Sequence, residues 1–396
     1  MDIKRKMKSI NRKELLKPVK RAVIKVGSGV LTTKTGLNKR IINGLTTDIC
    51  ALRKKGIEVI LISSGAIASG LKKIGFSKRP QSVSQQQAMA AIGQSSLIMA
   101  YETAFDRHGY MVAQILLTRD DLTHRRRYLN ARNTLFTLLS WKILPIINEN
   151  DTVVVDELKF GDNDNLSAMV TNLTESHLLV NLTDIDGLFD KDPRTNKDAT
   201  IIKTVEKVDR KVARFAGAIP GFLGTGGMAS KIKAAHKVSL GGVPTIIANG
   251  LKPNIIKRIF SGKEEGTLFL PQEVSLSCRK HWIAFTKSPK GEIIIDRGAE
   301  RAIVKNGKSL LPSGIKEVIG RFSLGNSIML MNEKRKEIAV GMVNYHSGDI
   351  GKIMGAKTSE IQSILGFKHD DEVIHRDNLI LASRLEEGDD ICHLQT

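Results

Sequence analysis

Ala22-Val23-Ile24-Lys25-Val26-Gly27-Ser28-Gly29 decides how this chain folds. The apolar residues around Lys25 make a short strand that a parallel sheet would bury, and the glycines beyond Val26 end it. An unpaired ammonium in such a strand is costly. Lys25 is therefore expected at the carboxyl edge of the sheet, where open α/β folds bind their ligands. A solvated lysine at a strand end would leave the same trace. Gly27, Ser28 and Gly29 follow at once, with backbone N–H groups that can face an anion.

Outward from this strand, residues 22–248 alternate apolar strand-like runs with longer helical patterns, the mark of a parallel sheet covered by helices. Strands are expected at 22–26, 58–62, 111–117, 143–147, 177–182 and 244–248. Helices are expected at 39–54, 85–105 and 128–139, the first with Ile41, Ile42, Leu45, Ile49 and Leu52 at helical spacing. Past Gly262 the texture changes to short β-rich pieces. Runs at 292–296, 302–305, 327–331 and 338–344 read as strands of a small separate domain. The chain thus divides into a basic arm (1–21), a large domain (22–272), a smaller one with a trailing segment (279–380) and an acidic tail (381–396).

With 396 residues and 41% hydrophobic content the chain can bury a large core. No apolar run suits a membrane span and the N-terminus lacks signal-peptide character, so a cytoplasmic location is expected. Cys50, Cys278 and Cys392 are too scattered for a disulfide framework or a zinc site. The net charge of +20 raises nucleic acid or an anionic substrate as a partner. Its distribution is uneven: +7 in residues 1–21, +12 in 22–272, +4 in 273–380 and −3 in 381–396. The excess lies in the large domain and its leading arm. The arm reads as a solvated, mobile extension rather than a nucleic-acid contact.

Five polar clusters follow the apolar runs. Ile147-Asn148-Glu149-Asn150-Asp151 and Gly161-Asp162-Asn163-Asp164-Asn165-Leu166-Ser167-Ala168 look like loops around a charged ligand, although turns use the same residues. Ser63-Ser64-Gly65-Ala66-Ile67-Ala68-Ser69-Gly70 places small residues at a helix mouth, where a carboxylate can approach backbone N–H groups. Leu223-Gly224-Thr225-Gly226-Gly227-Met228-Ala229-Ser230-Lys231 offers a phosphate-cradling glycine loop with a lysine in the first helical turn. It is not a P-loop, because Ser230 stands where that motif has glycine. Thr183-Asp184-Ile185-Asp186-Gly187 lacks the pattern of a calcium loop and suits nucleotide contacts better.

Taken together and in this order, these clusters, with Leu-Thr-Arg-Asp-Asp (117–121) and Tyr-Leu-Asn-Ala-Arg-Asn-Thr (128–134), resemble the glutamate 5-kinases of the amino-acid kinase superfamily. The region from 279 to 360 resembles the PUA domain that many members carry. The resemblance implies a three-layer α/β sandwich with a mainly parallel sheet, followed by a small β-rich PUA domain. It implies phosphorylation of the γ-carboxylate of L-glutamate by ATP with Mg²⁺, the step committed to proline. Carried over by position, Lys25 and Lys231 would stabilise the transferring phosphoryl group and Asp162 would orient them. Ser64, Gly65, Ala66, Asp151 and Asn163 would bind glutamate. Lys25, Gly27, Ser28, Thr183, Asp184 and the loop Thr225, Gly226, Gly227, Met228, Ala229, Ser230, Lys231 would hold ATP, and no side-chain metal cage is expected. The resemblance further implies a homo-oligomer and hand-off of the product to glutamyl-phosphate reductase.

The chemistry suits these residue types. A carboxylate is ionised at neutral pH and needs no general base, so the reaction asks for in-line placement and cancellation of negative charge. The nearest rivals are kinases of the same superfamily that act on aspartate or N-acetylglutamate. An RNA-binding role for the PUA-like region is the rival of another class, but its near-neutral charge and few aromatics give it no support.

Overall fold

The computed structural model describes residues 11–33, 36–76, 80, 82–153, 163–217, 227–272 and 289–382. The chain forms two compact units, Met1–Ser275 and Leu276–Thr396. The strands of the first are β1 (Arg21–Val26), the short hairpin β2 (Thr32–Thr33) and β3 (Gly36–Leu37), β4 (Glu58–Ser63), β5 (Val112–Leu117), β6 (Leu144–Glu149), β7 (Leu178–Thr183), β8 (Thr204–Val205), β9 (Thr245–Asn249) and β10 (Thr267–Phe269). Apart from the hairpin they form one sheet in the order β5-β6-β4-β1-β7-β9-β10-β8. Six of them run parallel, and β10 and β8 run against these at one edge. The six expected strands coincide with the parallel six to within a residue or two at each end; the short edge pair carried too little pattern to be read.

Helices α1 (Arg12–Leu16), α2 (Ser28–Leu31), α3 (Lys39–Lys54), α4 (Ala66–Ile74), α5 (Val83–Asp106), α6 (Arg119–Thr123), α7 (Arg125–Ser140), α8 (Asn163–Leu173), α9 (Arg210–Gly217), α10 (Met228–Leu240) and α11 (Ile255–Phe260) complete the unit. Strand alternation sorts the core into two faces. Ala22, Ile24 and Val26 of β1 pack with Ile49 of α3, Leu97 and Phe105 of α5, and Ile256 of α11. Val23 packs on the opposite side with Leu135 of α7, Leu166 and Val170 of α8, and Val238 of α10. Each of these side chains larger than alanine contributes about 1.5–3 kcal/mol on burial, and only helices on both faces can bury both sets. The result is the expected three-layer sandwich. Lys25 shares its parity with Val23, so the pleat turns it toward α8 and α10.

Two glycines set how α4 meets α5. A Cβ on Gly70 would lie 1.9 Å from the Met89 carbonyl oxygen, and one on Gly93 would lie 1.8 Å from that of Ala66. The helices therefore cross backbone on backbone. At the entry to α4, Gly65 adopts φ 106°, a left-handed conformation that glycine takes without strain.

The leading arm departs from its reading as a solvated extension. Residues 11–20 lie against the first unit, with Leu16 and Val19 buried. The buried Arg12 guanidinium donates to the carbonyls of Glu265 (2.6 Å), Lys203 (2.6 Å) and Gly266 (3.3 Å). The run of like charge masked this anchoring, because what Arg12 finds is carbonyl oxygen from residues some two hundred positions away. Residues 1–10, and 383–396 of the acidic tail, lie outside the described residues.

The second unit holds a five-stranded sheet of β11 (Glu292–Ile295), β12 (Ile315–Ile319), β13 (Ser327–Asn332), β14 (Glu337–Met342) and β15 (Leu379–Leu381), ordered β12-β11-β13-β14-β15. Ile293, Ile295, Leu330 and Tyr345 are among the side chains of its core. One expectation fails here. Residues 302–305 read as a strand but belong to helix Arg297–Asn306, started by Asp296, whose carboxylate accepts the Ala299 N–H at 2.7 Å, and ended by left-handed Gly307. A four-residue apolar run does not by itself distinguish strand from buried helix face; the caps decide.

Candidate active site

Asp164 lies in the first turn of α8, 2% exposed, and four side chains converge on it. Lys25 Nζ and Asn181 Nδ2 donate to Oδ1 at 2.6 and 2.9 Å. Ser230 Oγ and Lys231 Nζ donate to Oδ2 at 2.5 and 3.1 Å. Each arrives from its own element: Lys25 from β1, Asn181 from its register partner on β7, and Ser230 and Lys231 from the first turn of α10. Burial alone would raise the Asp164 carboxyl. The two ammoniums, with hydrogen bonds from Lys25 and Ser230, outweigh it and hold the group far below the usual carboxylate range. Two buried ammoniums are thus brought to one carboxylate, a concentration of cations that suits a polyanion.

A buried helix can carry so many polar residues because they serve one another. Ser167 Oγ donates to the Asp164 carbonyl at 2.6 Å, Thr171 Oγ1 to that of Ser167 at 2.7 Å, and Asn172 Nδ2 to that of Ala168 at 2.9 Å. Local back-bonding of this kind satisfies hydroxyls and amides without a partner from another element. The first turn of α8 is thereby embedded in the core and can hold Asp164 in place.

Asn163, the preceding residue, faces a different set of groups. Its Nδ2 donates to Ser64 Oγ at 2.9 Å and to Asn148 Oδ1 at 3.0 Å. Ser64, Gly65 and Ala66 lie at the end of β4 and the start of α4, whose N-terminus has no side-chain cap. Asp151 is buried in a short turn just after β6. It shares a cavity of about 380 Å³ with Gln94, Gln114, Glu149 and Asn150.

At the end of β7, Thr183 Oγ1 donates to Asp184 Oδ1 at 3.1 Å. Gly29 packs so near that a Cβ would lie 3.1 Å from the Asp184 carboxyl, and the Gly27 N–H donates to the Leu182 carbonyl at 2.9 Å. Gly27 and Ser28 thus lie beside Thr183 and Asp184. Gly227 caps α10, its carbonyl oxygen 2.8 Å from Ser230 Oγ, with Met228 and Ala229 between them in the first turn.

Of the residues singled out by sequence, Asp162, Thr225 and Gly226 lie outside the described residues. Asp164 is the carboxylate that both lysines meet among the described residues. The reason is helical register: Asn163 and Asp164 open α8, and its turn points Asp164 at the sheet. Asn181 and Asn148 were not anticipated as site residues. The signal for Asn181 was an amide inside the otherwise apolar run Leu178-Leu179-Val180-Asn181-Leu182, level with Lys25 in the neighbouring strand. Among the described residues no cluster of three His, Cys, Asp or Glu side chains could hold a metal ion, and no helix is long and apolar enough to cross a membrane.

Comparison with known proteins agrees with this architecture. The amino acid kinase family matches residues 20–249 and the PUA domain matches 291–365. Glutamate 5-kinase of Geobacter sulfurreducens is 53% identical over 371 residues, 93% of this chain and 100% of that protein. Glutamate 5-kinase of Geobacter metallireducens is 54% identical over the same shares. That of Caldanaerobacter subterraneus subsp. tengcongensis is 49% identical over 93% of this chain and 99% of its own length. This chain, with a kinase unit followed by a PUA domain, belongs to the amino acid kinase family and within it to the glutamate 5-kinases.

Proposed function

We propose that the chain transfers the γ-phosphoryl group of ATP to the γ-carboxylate of L-glutamate, giving L-glutamyl 5-phosphate and ADP, the first step of proline biosynthesis. The observation that carries this is the buried pair Lys25 and Lys231 held by one carboxylate at the carboxyl edge of the sheet. A carboxylate oxygen attacks the γ-phosphorus and the bond to the β-phosphate oxygen breaks, so negative charge crowds the reacting centre. Lys25 and Lys231 neutralise it, and Asp164 keeps both ammoniums aimed without taking up a proton itself.

In this reading Ser64, Gly65, Ala66, Asp151 and Asn163 receive glutamate. Gly27, Ser28, Thr183, Asp184 and Gly227 to Lys231, with Thr225 and Gly226 before them, receive ATP. The donor chemistry fits a magnesium ion that arrives with the nucleotide. Asp164 is committed to ammoniums, so the ion would be held mainly by the nucleotide, where it would offset phosphate charge. The reading also places the enzyme in the cytoplasm as a homo-oligomer that passes its water-labile acyl phosphate to glutamyl-phosphate reductase.

The test is direct. Purified protein with ATP and Mg²⁺ is offered L-glutamate, L-aspartate and N-acetyl-L-glutamate, and hydroxylamine traps any acyl phosphate. Hydroxamate should form with L-glutamate and far less with the other two; its absence with glutamate would sink the reading.

A further inference from the structure

The amide of Asn163 has two N–H donors, and both are in use, one on Ser64 Oγ and one on Asn148 Oδ1. Its carbonyl oxygen is the remaining polar atom, buried and without a hydrogen-bond partner among the described residues. A half-turn of this amide would bring that oxygen against Asn148 Oδ1 and Ser64 Oγ. Against Asn148 Oδ1 the contact would be acceptor on acceptor, provided that Asn148 itself cannot turn.

Asn148 is held from two directions. Its Oδ1 also accepts the Glu149 N–H at 2.9 Å, and its Nδ2 donates to Gln94 Oε1 at 2.8 Å. It is 3% exposed, on the last turn of pleat of β6, so water does not compete for these bonds. Gln94 follows Gly93, the residue at which α5 meets α4, and it lines the same cavity as Asp151. The hydrogen bonds thus run Gln94, Asn148, Asn163, Ser64, each setting the orientation of the next.

We propose that Gln94 and Asn148 are positioning residues that fix the Asn163 amide with its carbonyl oxygen turned to the substrate's ammonium group. This rests on the reading of Asn163 and Asp151 as glutamate-binding. A carbonyl oxygen accepts from an ammonium more strongly than from the single neutral N–H of an N-acyl group, and has nothing to offer a carboxylate in its place. Selection for a free amino group therefore depends on Gln94 and Asn148 through the direction they give Asn163.

The experiment compares the KM for L-glutamate with the inhibition constant of glutarate, which has the same carboxylates and no ammonium. Gln94→Met keeps the length of the side chain and removes the strong acceptor. It should lower the preference for glutamate over glutarate about tenfold or more, the worth of a hydrogen bond to a charged group. The KM for ATP should stay within about twofold, since nothing in the relay touches the nucleotide end. Gln94→Glu retains an acceptor for Asn148 Nδ2 and should keep the wild-type preference; Gln94→Leu repeats the test with another shape. A purely structural role would weaken glutamate and glutarate alike, and that result, or an unchanged preference in Gln94→Met, overturns the proposal. If the wild type forms no hydroxamate with glutamate, the reaction itself has been misread; if it does and Gln94→Met still discriminates fully, only the relay falls.

Discussion

Asn163 and Asp164 are consecutive in α8, yet they organise two ends of one site by different means. Asp164 works with full charges: two lysine ammoniums share its carboxylate in a dry setting. Asn163 works with neutral dipoles, its amide held by Ser64 Oγ and the Asn148 amide. In the proposed site the difference follows from what each end would meet. A phosphoryl group in transfer carries spread negative charge and is best met by cations fixed in advance. An amino acid carries both signs a few bonds apart, and is better read by groups whose direction is set but whose charge is small.

The contrast predicts a graded response to mutation, largest at the charged end. Asp164→Asn takes from two buried ammoniums the carboxylate they share, at a cost of about 3–5 kcal/mol in stability, and should lower kcat about 10²- to 10³-fold. Its pH behaviour sharpens the point. The native Asp164 carboxyl lies well below its ordinary value of 3.8, so its contribution is complete above that pH and is lost as pH falls toward the native value. Urea denaturation should therefore show Asp164→Asn losing stability less steeply than the wild type on acidification below 3.8. An equally steep decline would mean that the ammoniums are not paired through this carboxylate.

At the amide end the response should appear in binding. Asp151→Ala should raise the KM for glutamate about 10- to 100-fold through loss of an ion pair to the substrate ammonium, with the KM for ATP little changed. Steady-state kinetics with each substrate varied in turn distinguishes this from a general collapse; equal rises in both would erase the division into two ends. The smallest effect belongs to an exposed pair that resembles the buried one only on paper. Arg127 and Asp121 approach to 3.3 Å with the arginine side chain 62% exposed. Arg127→Ala should change the unfolding free energy by no more than about 0.5 kcal/mol in thermal or urea melts.

How far the sequence revealed this site depends on which contacts set each residue. The strand carrying Lys25 could be read because its neighbours are uniformly apolar, and Lys231 because glycines and a helix pattern frame it. Ser64, Asp151 and Asn163 were legible as members of polar clusters. That both lysines meet on Asp164 was not, because the first turn of α8 sets its direction and the cluster around it does not. Asn148 and Gln94 are separated by more than fifty positions, and nothing in either neighbourhood announces the other. The docking of Arg12 escaped notice for the same reason. Charge patterns report on local surroundings, whereas these partners are supplied by the topology of the sheet.

The crossing of α4 and α5 at Gly70 and Gly93 bears on how this protein can change over evolutionary time. The atoms that any added methyl would strike are main-chain carbonyls of Met89 and Ala66, not side chains. No second substitution can trim a carbonyl away, so a lesion at either glycine has no suppressor among the neighbouring side chains. Relief would require the two helices to separate, and that would draw Ala66 away from Gly93 and from Gln94 beside it. A genetic screen for revertants of Gly93→Ala should therefore return restored glycine rather than compensating changes elsewhere, and these positions are closed to the gradual drift that remodels the rest of the core.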